Sequence, residues 1–271
     1  MNTIPSLGFG TFRLEGDIAY QSVKSALEVG YRHIDTAQIY GNEAEVGQAI
    51  ADSGIDRSEL FITTKVWLDN LATEHFIKSV QESLTKLQID QVDLLLIHWP
   101  DATNKIPLTS YLDDLAQAQK QGLTKHIGVS NFTIQHLEQT IQQLGEGAIF
   151  TNQIEVHPYL QNRQVIDYCQ QHNIRVTGFM PLAVGKVMED AVLQSIAKAH
   201  QTSVANVALA WQLQQGFITI PSSTKRANQE ANLAAFDLVL TNEDMQRIAR
   251  LEANERIATQ TFLLNGTNRG R

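Results

Sequence analysis

The stretch GFGTFRLEG (residues 8–16) decides between the two α/β architectures that this chain could adopt. An open, doubly wound sheet that binds a dinucleotide would carry its glycines as G-x-G-x-x-G, directly after a strand. Here Arg13 occupies the third glycine position, and no clear strand precedes Gly8. The glycine signature of the open sheet is therefore missing, which favours a closed barrel.

Eight short segments rich in β-branched and aliphatic residues recur along the rest of the chain, with helical patterns between them. They are YRHIDT (31–36), LFITTK (60–65), VDLLLIHW (92–99), KHIGVS (125–130), FTNQIE (150–155), IRVTGF (174–179), FITIPS (217–222) and AAFDL (234–238). The first segments follow one another at roughly thirty residues, which is the length of one βα repeat. Eight repeats predict a (β/α)8 barrel, the TIM barrel, as a single domain over residues 1–271.

Other local signals predict where individual elements begin and end. The short apolar stretch that ends in GFGTF predicts an N-terminal hairpin, and a helical pattern follows over about residues 17–29. Thr73 and Thr133 are predicted to cap the helices that follow them. Residues 254–271 show little helical or strand pattern and are predicted to form an irregular C-terminal tail.

Composition and charge argue against several classes of function. The 271 residues carry a formal net charge of -8, which gives no electrostatic footprint for nucleic acid or for an anionic membrane. The longest apolar run is far shorter than the ~18 residues that cross a bilayer, and the N-terminus lacks the pattern of a secretion signal. The single cysteine, Cys169, has no disulfide partner, and the histidines show no metal-ligand spacing. These features predict a cytoplasmic protein without a metal.

Four polar side chains lie where predicted strands run into loops. Asp35 ends the first segment, Tyr40 follows in its loop, Lys65 ends the second segment, and His98 lies near the end of the third. Each could be structural on its own, as a helix cap, a packed phenol, a solvated lysine or a core histidine. Because the carboxyl ends of barrel strands meet at one mouth, all four are expected to converge there. An active site is therefore the favoured interpretation.

This set of side chains predicts the transfer of a proton to a substrate oxygen on which negative charge develops. A lysine cation about 4 Å from a phenol favours the phenolate by about 4 kcal/mol at an effective dielectric near 20, which predicts a lowered pKa for Tyr40. Asp35 would keep Lys65 charged, and a neutral His98 would orient a substrate oxygen while Tyr40 protonates it. No side chain supplies a hydride, so the chemistry requires a redox cofactor.

Longer motifs around these residues resemble the aldo-keto reductase family over nearly the whole chain. GYRHIDTAQIYGNEAEVGQAI is similar to the family's first signature, LLIHWP to the segment with its catalytic histidine, and IGVSNF, NQIEVHPY and IPSSTK to its cofactor-binding segments. The resemblance implies a catalytic tetrad of Asp35, Tyr40, Lys65 and His98, with Tyr40 as proton donor and NADPH as hydride source. Within the family the chain looks most like bacterial members that reduce 2,5-diketo-D-gluconate. This implies reduction of that compound, methylglyoxal or similar small carbonyls to alcohols.

The same resemblance implies where the cofactor and the substrate bind. Ser130, Asn131 and Gln153 would hydrogen-bond the nicotinamide carboxamide. Phe179 would stack on the nicotinamide ring, where the family usually has tyrosine. The residues implied to hold the adenosine end of NADPH are Ser223, Thr224, Lys225, Arg226 and Asn232. The residues implied to line the substrate pocket are Phe12, Trp67, His98 and Trp99.

Several alternatives remain open at the level of sequence. Ser222 and Asn228 stand where many family members have a lysine and an arginine, which leaves Lys225 and Arg226 as the cations for a 2′-phosphate. NADPH is favoured over NADH because a charge-assisted contact contributes ~1.5 to 3 kcal/mol. An NADPH-binding redox sensor or interaction module with weak catalysis is the second hypothesis, since the family also resembles channel β subunits. The family resemblance further implies a monomer that takes a small-molecule carbonyl substrate, whereas the net charge predicts no nucleic-acid or membrane partner.

Overall fold

Eight parallel strands form the centre of the structure, a computed structural model that describes residues 4–259. They are β1 (Phe9–Gly10), β2 (His33–Asp35), β3 (Phe61–Val66), β4 (Val92–Ile97), β5 (Thr124–Ser130), β6 (Ile149–Glu155), β7 (Arg175–Phe179) and β8 (Ile218–Thr219). Neighbouring strands pair in chain order, and Leu7 pairs in parallel with Thr219 of β8. This last pairing joins the two ends of the sheet, so the predicted (β/α)8 barrel is confirmed.

The strand count is right, but one predicted strand is wrong. Within AAFDL, residues Ala234–Asp237 form a 3-10 turn. Strands of a parallel barrel are buried on both faces, whereas the Phe236 side chain in this segment is 53% exposed. The strand that completes the set of eight is β1, which lies in the stretch predicted to form an N-terminal hairpin. There Phe9–Gly10 pairs with His33–Asp35 in parallel, as a barrel strand rather than an antiparallel hairpin.

Helices connect the strands and cover the outside of the barrel. Within residues 4–259 they are α1 (Gly16–Val29), α2 (Glu43–Asp52), α3 (Thr73–Leu87), α4 (Leu108–Lys120), α5 (Ile134–Leu144), α6 (Arg163–Gln171), α7 (Ala191–Ala199), α8 (Val204–Gln214), α9 (Arg226–Leu233) and α10 (Asn242–Ala249). The predicted helix over 17–29 is α1. Thr133 caps α5 as predicted, because its hydroxyl accepts a hydrogen bond from the His136 amide. Thr73 is the first residue of α3 rather than its cap, and its hydroxyl donates to Asp114 instead.

The hydrophobic core has two parts because the side chains of a strand alternate between its faces. Leu95 and Ile97 of β4 belong to the large cluster between the strands and the helices. Leu94 and Leu96 of the same strand belong to a small cluster inside the barrel. The members of this inner cluster are Ile4, Phe61, Leu94, Leu96 and Ile218. Phe61 begins its strand, so this cluster fills the amino-terminal end of the barrel and leaves the carboxyl end for a binding site.

The predicted irregular tail falls only partly on the described residues. Residues 254–259 contain no helix or strand. Residues 260–271 lie outside the described part of the chain.

One buried histidine makes stability depend on pH. The His33 side chain in β2 is 1% exposed, and burial lowers its pKa from 6.5 to about 4. The unfolded chain therefore binds a proton between these two pH values that the folded chain does not, so stability falls as pH falls through this window. We expect His33 to cost about 3 kcal/mol of the free energy of unfolding between pH 7 and pH 4.

Denaturant unfolding of the wild type and of His33→Gln at both pH values measures this contribution. The variant should lose less stability on acidification than the wild type. Equal losses in the two proteins would show that His33 does not carry this pH dependence.

Candidate active site

The structure brings the four predicted catalytic residues together at the carboxyl end of three neighbouring strands. Asp35 ends β2, Tyr40 ends the 3-10 turn that follows, Lys65 lies in β3, and His98 directly follows β4. Asp35, Tyr40 and His98 line one cavity of about 450 Å³. Lys65 is fully buried and bonds to two of them.

Lys65 is the centre of the hydrogen-bond network. Its Nζ donates to Asp35 Oδ1 at 2.5 Å, to the Thr36 carbonyl at 2.8 Å and to the Tyr40 hydroxyl at 3.4 Å. An ammonium group has three N–H donors, so all three have an acceptor here. Burial lowers the pKa of Lys65, but Asp35 and then Tyr40 outweigh burial, and the pKa is raised. Lys65 therefore remains a cation although water does not reach it.

Tyr40 holds its proton more firmly than the sequence predicts. Burial raises the pKa of Tyr40 and outweighs the lowering by Lys65, while Asp35 raises it further. The predicted lowering of this pKa is therefore wrong in its net direction. The physical reason is burial, which disfavours the charged phenolate more than the Lys65 cation favours it, and the Asp35 carboxylate acts in the same direction as burial. Tyr40 is consequently a neutral phenol near pH 7, with a proton available to donate.

His98 is a buried and neutral imidazole. Its side chain is 3% exposed, and burial, helped by the charge of Lys65, lowers its pKa well below 6.5. The ring packs edge to face with Tyr40 at 5.6 Å and with Trp67 at 5.2 Å between ring centroids. A neutral ring in this place can donate one hydrogen bond to a substrate oxygen without adding a charge.

The residues predicted to hold a carboxamide lie beside Asp35 and His98. Gln153 Nε2 donates to Asp35 Oδ2 at 2.8 Å, a contact that the sequence does not predict. Asn131 Nδ2 donates to the His98 carbonyl and to Ser130 Oγ, both at 3.0 Å. Asn131 Oδ1 is buried with no partner among residues 4–259. Asn131 and Gln153 also line the cavity, so the site offers an unsatisfied acceptor that suits a primary carboxamide.

The residue predicted to stack on the nicotinamide begins a wall that sequence reasoning missed. Phe179 ends β7 and lines the cavity. The cavity-lining residues that follow it are Met180, Pro181, Leu182, Val184 and Gly185. Met180 and Val184 have φ angles of 51° and 55°. No sequence signal predicts a left-handed backbone at a methionine or a valine, because side chains disfavour it there.

The predicted phosphate residues divide into two groups. Ser223, Thr224 and Lys225 line the cavity. Arg226 does not, and its guanidinium bonds to Glu28 at 2.7 Å and to Glu230 at 2.9 Å. Asn232 is also away from the cavity wall; it is buried and hydrogen-bonds with Tyr31. Lys225 is thus the one predicted cation among the residues that line this cavity.

The predicted substrate residues also divide. Phe12 lines the cavity, with its ring 5.2 Å from that of Tyr40. Trp67 and Trp99 do not line it, and Trp67 lies behind the ring of His98. Arg13 and Leu14 line the cavity although sequence reasoning did not predict them. Both residues lie in the loop after β1, and they were missed because β1 was not predicted as a barrel strand.

Other kinds of site are not found in the described part of the chain. No group of three or more His, Cys, Asp or Glu side chains within residues 4–259 is placed to hold a metal ion. No helix in that range is long and apolar enough to cross a membrane.

Comparison with known proteins connects this geometry with one family. The Aldo/keto reductase family profile matches residues 6–253. The methylglyoxal reductase DkgB of Salmonella typhi is 51% identical over 257 residues, which are 95% of this chain and 96% of that protein. The glyoxal reductase of Bacillus subtilis (strain 168) is 42% identical, over 94% of this chain and 91% of its own length.

A solved structure shows the same fold. The crystal structure of a protein assigned as 2,5-diketo-D-gluconic acid reductase B has a TM-score of 0.91. It is 41% identical and covers 96% of this chain and 92% of its own.

Proposed function

The chain belongs to the aldo/keto reductase family and is an oxidoreductase that acts on carbonyl groups; from this premise we propose that it reduces small carbonyl compounds with NADPH. The substrates proposed first are 2-oxoaldehydes such as methylglyoxal. The observation that carries the proposal is the contact of the Lys65 ammonium with both the Asp35 carboxylate and the Tyr40 hydroxyl at the cavity.

The residues around the cavity fit a nicotinamide dinucleotide. Asn131 and Gln153 would hold the carboxamide, and Phe179 would stack on the ring, with Lys225 on the 2′-phosphate. Ser130 supports them, because it accepts from Asn131 and donates to the Gln153 carbonyl at 2.8 Å. NADPH, when bound, supplies the hydride that reduces the carbonyl carbon.

The protein's own side chains then manage the proton. His98 donates a hydrogen bond to the carbonyl oxygen and orients it, which stabilises negative charge as it develops. Tyr40 transfers its hydroxyl proton to that oxygen, so the product is an alcohol. Lys65 stabilises the phenolate that this transfer leaves behind, and Asp35 keeps Lys65 protonated. Burial keeps water away from Lys65 and Asp35.

The preference for small substrates rests on the cavity and on the relatives. Phe12 and Leu14 line the cavity on the side of Tyr40. Phe12 narrows it beside Tyr40. The relatives named above act on methylglyoxal and glyoxal by their names, and the solved neighbour is assigned to 2,5-diketo-D-gluconic acid.

A panel of carbonyl compounds assayed with NADPH and NADH tests this function. Methylglyoxal, glyoxal and 2,5-diketo-D-gluconate are the compounds to compare. We expect NADPH oxidation that depends on the carbonyl, with methylglyoxal among the best substrates. Tight NADPH binding without oxidation by any carbonyl would favour the alternative, a redox sensor with weak catalysis.

Coenzyme preference is expected to depend on Lys225. A charge-assisted bond contributes ~1.5 to 3 kcal/mol, so Lys225→Ala should weaken NADPH binding by about ten- to a hundredfold and leave NADH binding nearly unchanged. Arg226→Ala is the matched control. Its effect should be smaller, because Arg226 reaches the phosphate only by leaving Glu28 and Glu230. Calorimetry with both coenzymes measures the difference, and equal losses for NADPH and NADH in Lys225→Ala would contradict the assignment.

We also propose that the enzyme works as a monomer in the cytoplasm. Cys169 is buried, and burial raises its pKa to about 11, which suits a thiol that stays reduced. Light scattering should give a mass near the 30.2 kDa of one chain. Twice that mass would contradict the monomer.

A further inference from the structure

A buried carboxylate that the proposed reaction does not use lies at the end of β6. The Glu155 side chain is fully buried and accepts three hydrogen bonds. His157 Nε2 lies 2.9 Å from its carboxylate, and the backbone amides of Ile257 and Ala258 donate to it at 2.8 Å each. A carboxylate is costly to bury without such donors. Two of its donors are the amides of residues 257 and 258, so Glu155 fastens this segment to the mouth of the barrel.

The fastened piece is residues 253–258, here called the strap. Besides the bonds to Glu155, the amides of Ala253 and Glu255 donate to the Tyr159 carbonyl at 3.1 and 3.0 Å. The strap contains no helix or strand, so these bonds to the β6 end of the barrel determine its course. Glu155 accepts the two bonds that lie nearest the C-terminal end of the strap.

The strap in turn holds part of the cavity wall. The wall segment, residues 180–186, is here called the flap. Lys186 forms an ion pair with Glu255 of the strap, and its Nζ lies 4.7 Å from the centroid of the Tyr159 ring. Val184 and Gly185, which directly precede Lys186, line the cavity. The contacts therefore run from Glu155 through the strap to the flap.

The flap has a backbone that needs such support. Met180, Ala183 and Val184 have φ angles of 51°, 47° and 55°. This left-handed conformation is disfavoured for residues with a side chain, and most of all for a β-branched valine. It persists where the surroundings hold it in place. The Val184 side chain is 55% exposed and has little packing of its own, so the ion pair at Lys186 is the nearest support on the strap side.

The flap borders the coenzyme half of the cavity. It follows β7, and the neighbouring strand β8 leads to the cavity-lining residues Ser223, Thr224 and Lys225. Tyr40 and His98 come from the loops after β2 and β4, at the other side of the mouth. A change in the flap should therefore affect nucleotide binding more than proton transfer.

We propose that Glu155 is a positioning residue for the coenzyme. It fixes the strap and, through Glu255 and Lys186, holds the flap in the shape that receives the nucleotide. This inference rests on the proposed use of NADPH. Glu155 itself is not among the residues that line the cavity.

Glu155→Gln tests the proposal with little change in size. The Glu155 carboxylate faces three hydrogen-bond donors. Glutamine keeps one acceptor oxygen and replaces the other with an NH₂ group, which is a donor, so at least one strap amide loses its partner. Because the variant loses a hydrogen bond to a charged group, the Kd of NADPH, measured by calorimetry, should rise about tenfold. Hydrogen exchange should become faster in both the strap and the flap. The kcat at saturating NADPH should stay within about threefold of the wild type, since the proton-transfer groups are undisturbed.

A charge exchange tests the link between the strap and the flap. Lys186→Glu places two acids side by side and should weaken NADPH binding severalfold. The double variant Lys186→Glu with Glu255→Lys should recover most of that affinity, because it restores the pair in reverse order. Failure of the double variant to recover would overturn the link. If Glu155→Gln does not fold, these single and double variants test the proposal in its place.

Glu146→Gln is the matched control. It removes another acid–histidine contact, Glu146 with His172 at 3.0 Å, at the opposite end of the barrel. Its NADPH affinity should equal that of the wild type. If wild-type protein does not bind NADPH, the proposed function fails. If the wild type binds NADPH and Glu155→Gln binds it equally well, or loses only thermal stability, the positioning role of Glu155 is overturned.

Discussion

Replacing Tyr40 by phenylalanine is expected to lower kcat for carbonyl reduction by about 10² to 10⁴, the usual contribution of a general acid. The variant keeps the ring that packs against Phe12 and His98 and loses only the hydroxyl. The Kd of NADPH should therefore remain within about twofold, because the lost group acts in the transition state. Stopped-flow measurement of NADPH oxidation, with calorimetry for binding, separates the two effects.

Tyr31→Phe provides the matched control for this substitution. Tyr31 is also buried, and its hydroxyl donates to the Gln229 carbonyl at 3.1 Å, outside the cavity. The control should lose some stability and keep its kcat. If Tyr40→Phe retained most of the wild-type kcat, Tyr40 could not be the proton donor.

Lys65→Met is expected to abolish turnover and also to destabilise the fold. Removing one partner of a buried ion pair costs about 3 to 5 kcal/mol, because the remaining charge is left without compensation. Here the remaining charge is Asp35, which is 2% exposed. Gln153 still donates to it at 2.8 Å but carries no charge. Denaturant unfolding measures the loss of stability.

The double variant Lys65→Met with Asp35→Asn separates stability from catalysis. It removes both charges, so most of the lost stability should return. Turnover should not return, because no cation remains to stabilise the phenolate of Tyr40. A double variant that recovered activity, or a single variant as stable as the wild type, would contradict the role of Lys65.

The barrel was predictable because its strands are marked by composition. Seven of the eight predicted segments overlap with one of the strands β2 to β8, in which β-branched and aliphatic residues are frequent. Two segments depart from this prediction, and each does so for a physical reason. Phe9–Gly10 is two residues long and half glycine, so its pairing depends on neighbours that are distant in sequence. Ala234–Asp237 is apolar enough for a strand but packs as a turn, with Phe236 exposed.

The convergence of the four proposed catalytic residues was predictable from their spacing, but their electrostatics were not. Asp35, Lys65 and His98 each lie at a strand end, which makes convergence follow from the fold. The direction of the pKa of Tyr40 depends on burial and on the ion pair beside it, and neither can be read from the residue types alone. The same applies to Arg226, whose two glutamate partners lie on α1 and on its own helix. The backbone conformation of the flap was not predictable from the sequence because most of its residues with a positive φ angle are not glycines.

The pH dependence of a single turnover tests the central claim most directly. We propose that the proton comes from Tyr40, whose pKa burial raises above the usual 10.0, beside His98, whose pKa burial lowers well below 6.5. Both groups then keep their active protonation state across neutral pH, so the rate of NADPH oxidation with methylglyoxal should stay level from about pH 7 to pH 9. A rate that fell with a midpoint near pH 8 in the wild type would identify a more acidic proton donor and contradict the account.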